Sequence, residues 1–176
     1  MSNTYTFTNL QPYNSPWIPG SVITVGAYFN IANTVSAAGF TNGDTVTAVG
    51  LIPEGGVTVL QTLVCGSPGD TNGSPTATFN LGDSLSDTPH AYRYMTNQLF
   101  SAPSTLGSMV DYQNTPPTFV SGVQTEGVGY AYTTNENSNS SGGAINIVLT
   151  VTANLATAAT TGVVYVYVTY LCTGDI

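Results

Sequence analysis

The residues able to do chemistry in this 176-residue chain are few and badly placed for it. His90 is the single histidine, and Asp87-Thr88-Pro89-His90 sets an acid near it in sequence. A Ser-His-Asp relay also needs an activated serine, and no Gly-x-Ser-x-Gly elbow is present. His90 therefore reads as a loop or partly buried residue. Glycoside hydrolysis needs two facing carboxylates, but the nine acids are scattered mostly through turns. Asp83 and Asp87 lie close together, yet the run Gly82-Asp83-Ser84-Leu85-Ser86-Asp87 explains them as turn residues. The expectation is a protein without catalytic residues.

Metal and cofactor chemistry fares no better. Asp70-Thr71-Asn72-Gly73-Ser74 imitates a calcium loop, with side-chain oxygens at alternate positions and Asp70 and Asn72 as the candidate ligands. The glycine comes too early, and Leu81 stands where the bidentate acid belongs, so an Asx turn is the preferred reading. Cys65 and Cys172 lack zinc spacing and are too few for a disulfide framework. Each follows an apolar, strand-like run; two buried thiols are preferred over a bridge between them. No cofactor is expected.

Arg93 is the only Lys or Arg in the chain, which carries a formal net charge of -8. Nucleic-acid binding, which needs clustered cations to displace counterions, is excluded as an expectation, as is a basic face for anionic lipids. Phosphate-handling enzymes fall with them, since no P-loop lysine occurs. Met1 to Tyr5 shows neither a positive nor an apolar leader segment, and no apolar run approaches the length of a membrane span. Synthesis in a cytoplasm, with no membrane partner, is expected.

The elements that would position any site are strands. Period-2 patterns bounded by Gly, Pro, Asn and Asp recur throughout, and helical spacing is hard to find. In Ala144 to Thr152, Ile145, Ile147, Leu149 and Val151 share one face; Asn146, Thr150 and Thr152 share the other, with Val148 the exception. Val163 to Leu171 is apolar on both faces, as suits a central strand covered on each side, one face serving as a subunit contact. With the small-residue connection 153–162 between them, the two runs read as a hairpin. Earlier strands are expected at Ser21 to Ile31, Thr45 to Val49, Val57 to Val64, Thr76 to Leu81, Ala91 to Met95 and Gly127 to Thr133. The fold expected is all-β: an antiparallel β-sandwich, jelly-roll-like, with a plain Greek-key sandwich as the competitor.

Residues 1–20 are expected to form an extended N-terminal arm or edge segment, and residues 21–176 a single sandwich domain. Tyr5, Phe7, Tyr13 and Trp17 are interrupted by Pro12, Pro16 and Pro19, which prevent a helix. Two readings stand: an edge strand packed on its own sandwich, or an arm whose aromatics lie on a neighbouring protein. Leu99 to Gly122 and the Asn/Ser/Gly tract Asn135 to Gly143 fit the strand pattern poorly, and the tract reads as an exposed loop. Eleven tyrosines suggest either sheet packing or stacking on sugars, so a carbohydrate-binding module is one functional alternative; an all-β, acidic chain of this size also suits a tail or fibre component used in attachment.

From Asn42 onward the order of features resembles capsid decoration, or cement, proteins of tailed bacteriophages. The stretches that carry it are Asn42-Gly43-Asp44-Thr45-Val46, the turn Ile52-Pro53-Glu54-Gly55-Gly56 into Val57-Thr58-Val59, and Asp70 to Pro75 leading into Thr76 to Leu81 and closing at Gly82-Asp83. The Thr/Val strand, Ala/Thr/Gly-rich loop and valine-rich strand of Ala144 to Leu171 are similar too. The resemblance implies a non-enzymatic virion protein on the outer capsid surface, with the major capsid protein and itself as partners, a homotrimer preferred over a dimer. Tyr5, Phe7, Tyr13 and Trp17 are then the candidate capsid or subunit contacts.

Overall fold

The computed structural model describes residues 2–10, 18–34, 39–53, 56–67, 70–71, 78–84, 94–99, 118–120, 123–126, 131–132, 145–155 and 157–173. Among them are twelve strands and no α-helix; the one helical turn is a 3-10 turn at Ile31–Asn33, capped by Asn30. The strands are β1 (Thr4–Thr6), β2 (Thr8–Asn9), β3 (Val22–Asn30), β4 (Thr45–Ile52), β5 (Val57–Gly66), β6 (Thr78–Asp83), β7 (Met95–Leu99), β8 (Thr118–Val120), β9 (Val123–Glu126), β10 (Ala131–Tyr132), β11 (Ile145–Val151) and β12 (Val163–Cys172).

Two five-stranded sheets form a β-sandwich, in the orders β1-β4-β11-β6-β7 and β10-β5-β12-β3-β2; β8 and β9 make a separate ribbon. The all-β sandwich expected from the alternation is thus present. Strand burial follows the sequence pattern closely: Ile145, Ile147, Leu149 and Val151 of β11 are buried, while Asn146, Val148 and Thr150 are half-buried on the opposite face. In β12, Val164, Val166, Val168, Tyr170 and Cys172 point inward. They join Phe29, Phe40, Val46, Ile52, Phe79, Leu81, Tyr94 and Met95 in one core drawn from both sheets. Burying a side chain of this size contributes on the order of 1.5–3 kcal/mol each, so this interior is the main source of stability.

The expected hairpin between β11 and β12 is not formed. β11 is the centre of the first sheet, between β4 and β6, and β12 the centre of the second, between β5 and β3. Alternation specifies which face of a strand is buried but says nothing about its partner, and the ten residues between the two runs let the chain cross the sandwich. The connection is tied down on the way: Asp70 Oδ1 accepts from the Thr157 amide at 3.0 Å, and Thr71 N donates to Thr157 O at 2.8 Å. β4 and β5 likewise belong to different sheets, although few residues separate them. Gly66 ends β5 at φ 115°, where any Cβ would run into the Val163 carbonyl.

The N-terminal segment takes the edge-strand form. β1 adds to β4 in parallel, with Tyr5 opposite Val46, and β2 adds antiparallel to β3, with Thr8 opposite Tyr28. Residues 4–9 therefore pass from the edge of one sheet to the edge of the other. Between them Phe7 N donates to Thr47 O at 2.9 Å, and beyond them Leu10 N donates to Gly26 O at 2.9 Å. The Tyr5 ring lies 5.3 Å from that of Phe29 and 6.1 Å from that of Phe40, and Phe7 meets Phe29 edge-on at 6.3 Å. The start of the strap is fixed by a carboxylate: Asp44 Oδ1 accepts from Asn3 N (2.7 Å) and Asn3 Nδ2 (3.2 Å), while Oδ2 accepts from Thr41 N (2.9 Å).

Candidate functional site

The structure distributes the sequence candidates rather than gathering them. Tyr5 and Phe7, for which an edge strand packed on the sandwich and a docking arm were both open, are buried at 7% and 4% exposure and belong to the core. Their rings find enough apolar surface between the sheet edges to make burial the favourable outcome. Tyr13, Trp17, Asn72, Asp87, His90 and Arg93 lie outside the described residues. Asp70, a candidate calcium ligand, is fully buried and directs one oxygen at the Thr157 amide, a structural role. Asp83 is also buried, within β6. Among the described residues no three His, Cys, Asp or Glu side chains come together as a metal site.

The two thiols are free and buried. Cys65 stands opposite Tyr165 and Cys172 opposite Val57, so they are seven residues apart along β12. At ~3.3 Å per residue that is about 23 Å, far beyond the reach of a disulfide.

What does come together is the outer face of the second sheet. The register aligns three rows across β3, β12 and β5: Tyr28, Tyr165 and Cys65; Gly26, Tyr167 and Leu63; Thr24, Thr169 and Gln61. Tyr165 and Tyr167 are nearly parallel, with an interplanar angle of 11° and centroids 6.2 Å apart, and Tyr28 sits 6.3 Å from Tyr165. Gly26 explains where Tyr167 lies. A Cβ built there would fall 2.5 Å from Tyr167 Cδ1 and 3.1 Å from Leu10 Cδ1, so the ring occupies the notch that a side chain would fill. Thr24 and Thr169 share a hydrogen bond between their hydroxyls at 2.8 Å. Together Thr24, Gln61, Leu63, Tyr167 and Thr169 line an open depression of about 390 Å³.

None of these side chains is charged, and the phenol of Tyr167 stays protonated. Partial burial pushes its pKa up from 10.0, helped by the neighbouring Cys65 and Tyr165, whose anions would repel a phenolate. The sequence carries a legible signal for this surface. Tyr165 and Tyr167 stand two apart in a strand and so share a face, and an isolated glycine at position 26 within a strand pattern marks a close approach.

No protein-family model matches this chain, and no curated protein matches it. Solved structures do share its fold. A chain of the Cyanophage Pam1 capsid asymmetric unit is 24% identical, with a TM-score of 0.56 over 92% of this chain and 94% of that one. A chain from the capsid of Ralstonia phage GP4 is 19% identical, with a TM-score of 0.50 over 94% of each. At these identities the likeness is one of fold.

Proposed function

We propose that this chain is a non-enzymatic structural protein of a tailed-phage virion, binding the outer surface of the capsid as a decoration or cement protein, as a homotrimer. The observation that carries the reading is the fold likeness to chains of two phage capsid structures, spanning nearly the whole length of all three. The strand order supports a jelly roll specifically. If β3, β4, β5, β6, β7, β10, β11 and β12 are taken as eight successive strands, every step but β6 to β7 crosses between sheets, and the orders are β3-β12-β5-β10 and β4-β11-β6-β7. All pairings among them are antiparallel, as in two interlocked Greek keys. β1 and β2 are then additions to one edge of each sheet.

A decoration protein needs no catalytic group; it needs a stable fold and a repeated docking site. A shell that binds only the folded form stabilises it by mass action, by ~2.7 kcal/mol at a free site concentration 100 times the dissociation constant. In this reading Tyr5 and Phe7 root the N-terminal segment in the sandwich, and Tyr13 and Trp17 make the contact with capsid or neighbouring subunit. Removing residues 2–19 would strip the core of two aromatic rings, so the informative variant is Tyr13→Ala with Trp17→Ala. Occupancy on purified heads should fall while the thermal transition of the isolated protein holds. Undiminished occupancy would remove the N-terminal segment from the interface.

A further inference from the structure

We infer that the depression on the outer face of the second sheet is a binding site for a neutral saccharide, with the Tyr167 ring as the stacking platform and Gln61, Thr24 and Thr169 as its polar partners. The inference does not rest on the capsid reading, because it concerns a different surface and a different ligand. The ring is held rather than merely exposed: Gly26 receives it on one strand, and Tyr165 lies parallel to it two residues away. A ring already fixed by its neighbours loses little conformational freedom when a ligand is laid on it.

The chemistry around that ring selects the ligand class. A pyranose offers an apolar C–H face and a rim of hydroxyls. The depression offers an aromatic ring and Leu63 for the first, and an amide with two hydroxyls for the second. Gln61 is exposed and brings both a donor and an acceptor. An anionic ligand would find no cation among the lining residues and would meet the field of a chain with net charge -8. A wholly apolar partner would cover the amide and hydroxyls without satisfying them, at a desolvation cost. The volume of about 390 Å³ lies within the usual range of small-ligand sites.

The test is saturation-transfer NMR on the intact protein with maltohexaose, cellohexaose and chitohexaose, and with hexagalacturonate as the acidic counterpart. Transfer is expected to the pyranose C–H protons of at least one neutral hexamer and not to the acidic one. Tyr167→Ala should weaken binding roughly tenfold, with Tyr167→Phe retaining most of it because the ring remains. Gln61→Ala, at an exposed position clear of the core, should weaken binding while leaving the thermal transition unchanged. Transfer to none of the neutral hexamers overturns the inference, as does binding that survives Tyr167→Ala in a folded protein. Sedimentation of the same variants supplies a further contrary outcome: no sugar binding, with Tyr167→Ala lowering the oligomeric state, makes this face an interface between copies.

Discussion

Asp44→Asn isolates what holds the N-terminal strap to the sandwich. The carboxylate is fully buried and accepts three hydrogen bonds, two through Oδ1 from Asn3 and one through Oδ2 from the Thr41 amide. An asparagine of the same shape keeps one acceptor. With its oxygen turned to Asn3, its NH2 must face the Thr41 N–H, setting donor against donor; turned the other way, it loses both bonds to Asn3. Hydrogen bonds to a charged group contribute roughly 1.5–3 kcal/mol, and a buried unsatisfied donor costs about 1–3 kcal/mol. Relief of the carboxylate's own desolvation offsets part of this. The net expectation is a loss of about 2.5 kcal/mol, which for a domain of this size lowers Tm by about 5–10 °C. Asp44→Ala, which removes all three acceptors, should cost more, about 4 kcal/mol.

Scanning calorimetry at fixed protein concentration measures the loss, and hydrogen exchange locates it. The Thr45 amide, which donates to Asn3 O, and the Phe7 amide, which donates to Thr47 O, should exchange faster in the variant. Amides in the middle of β12 should change least relative to the global loss. A Tm within 1–2 °C of the parent, or exchange that rises uniformly, would refute the reasoning: the strap would then be held by the Tyr5 and Phe7 rings alone.

Further outcomes follow from the same geometry. Gly26→Ala places a methyl group against the Tyr167 ring, and should destabilise by about 1–3 kcal/mol while altering the near-ultraviolet circular dichroism of the tyrosines. Both thiols should react with a disulfide reagent only upon unfolding, and the thermal transition should be the same with and without reductant. Because the folded-state pKa of Tyr167 is raised above 10.0, its contribution to stability is fully present below pH 10 and is lost as pH rises through the folded value. Tyr167→Phe should therefore show a shallower loss of stability in urea titrations above pH 10 than the parent does.

The strands were largely legible because burial on a pleated sheet leaves a period-2 trace. The run expected at Val163 to Leu171 is β12 at Val163–Cys172, and that at Ser21 to Ile31 is β3 at Val22–Asn30. The strand expected from Ala91 to Met95 instead begins at Met95, and Arg93 falls outside the described residues. Pairing was less legible: β11 and β12, adjacent in sequence and both alternating, went to different sheets because partner choice is settled by packing across the whole core. Asp44 closes the stretch Asn42-Gly43-Asp44, where its residue type suits a polar turn position. Its partner Asn3, however, lies 41 residues away, and no local pattern carries that contact. Tyr5 and Phe7 were ambiguous for a related reason: a short aromatic stretch among prolines suits an edge strand and an exposed arm equally well, and only the space between the sheets at Phe29 and Phe40 decides between them.

The central proposal, a capsid decoration protein, is tested most directly by imaging intact virions at a resolution that resolves strands and counting the copies of this chain. The account predicts threefold clusters on the outer surface of the head, repeated on the order of hundreds of times per particle by the symmetry of a closed shell. A count of about a dozen or fewer, confined to the tail, or density on the inner surface beside the genome, would contradict it.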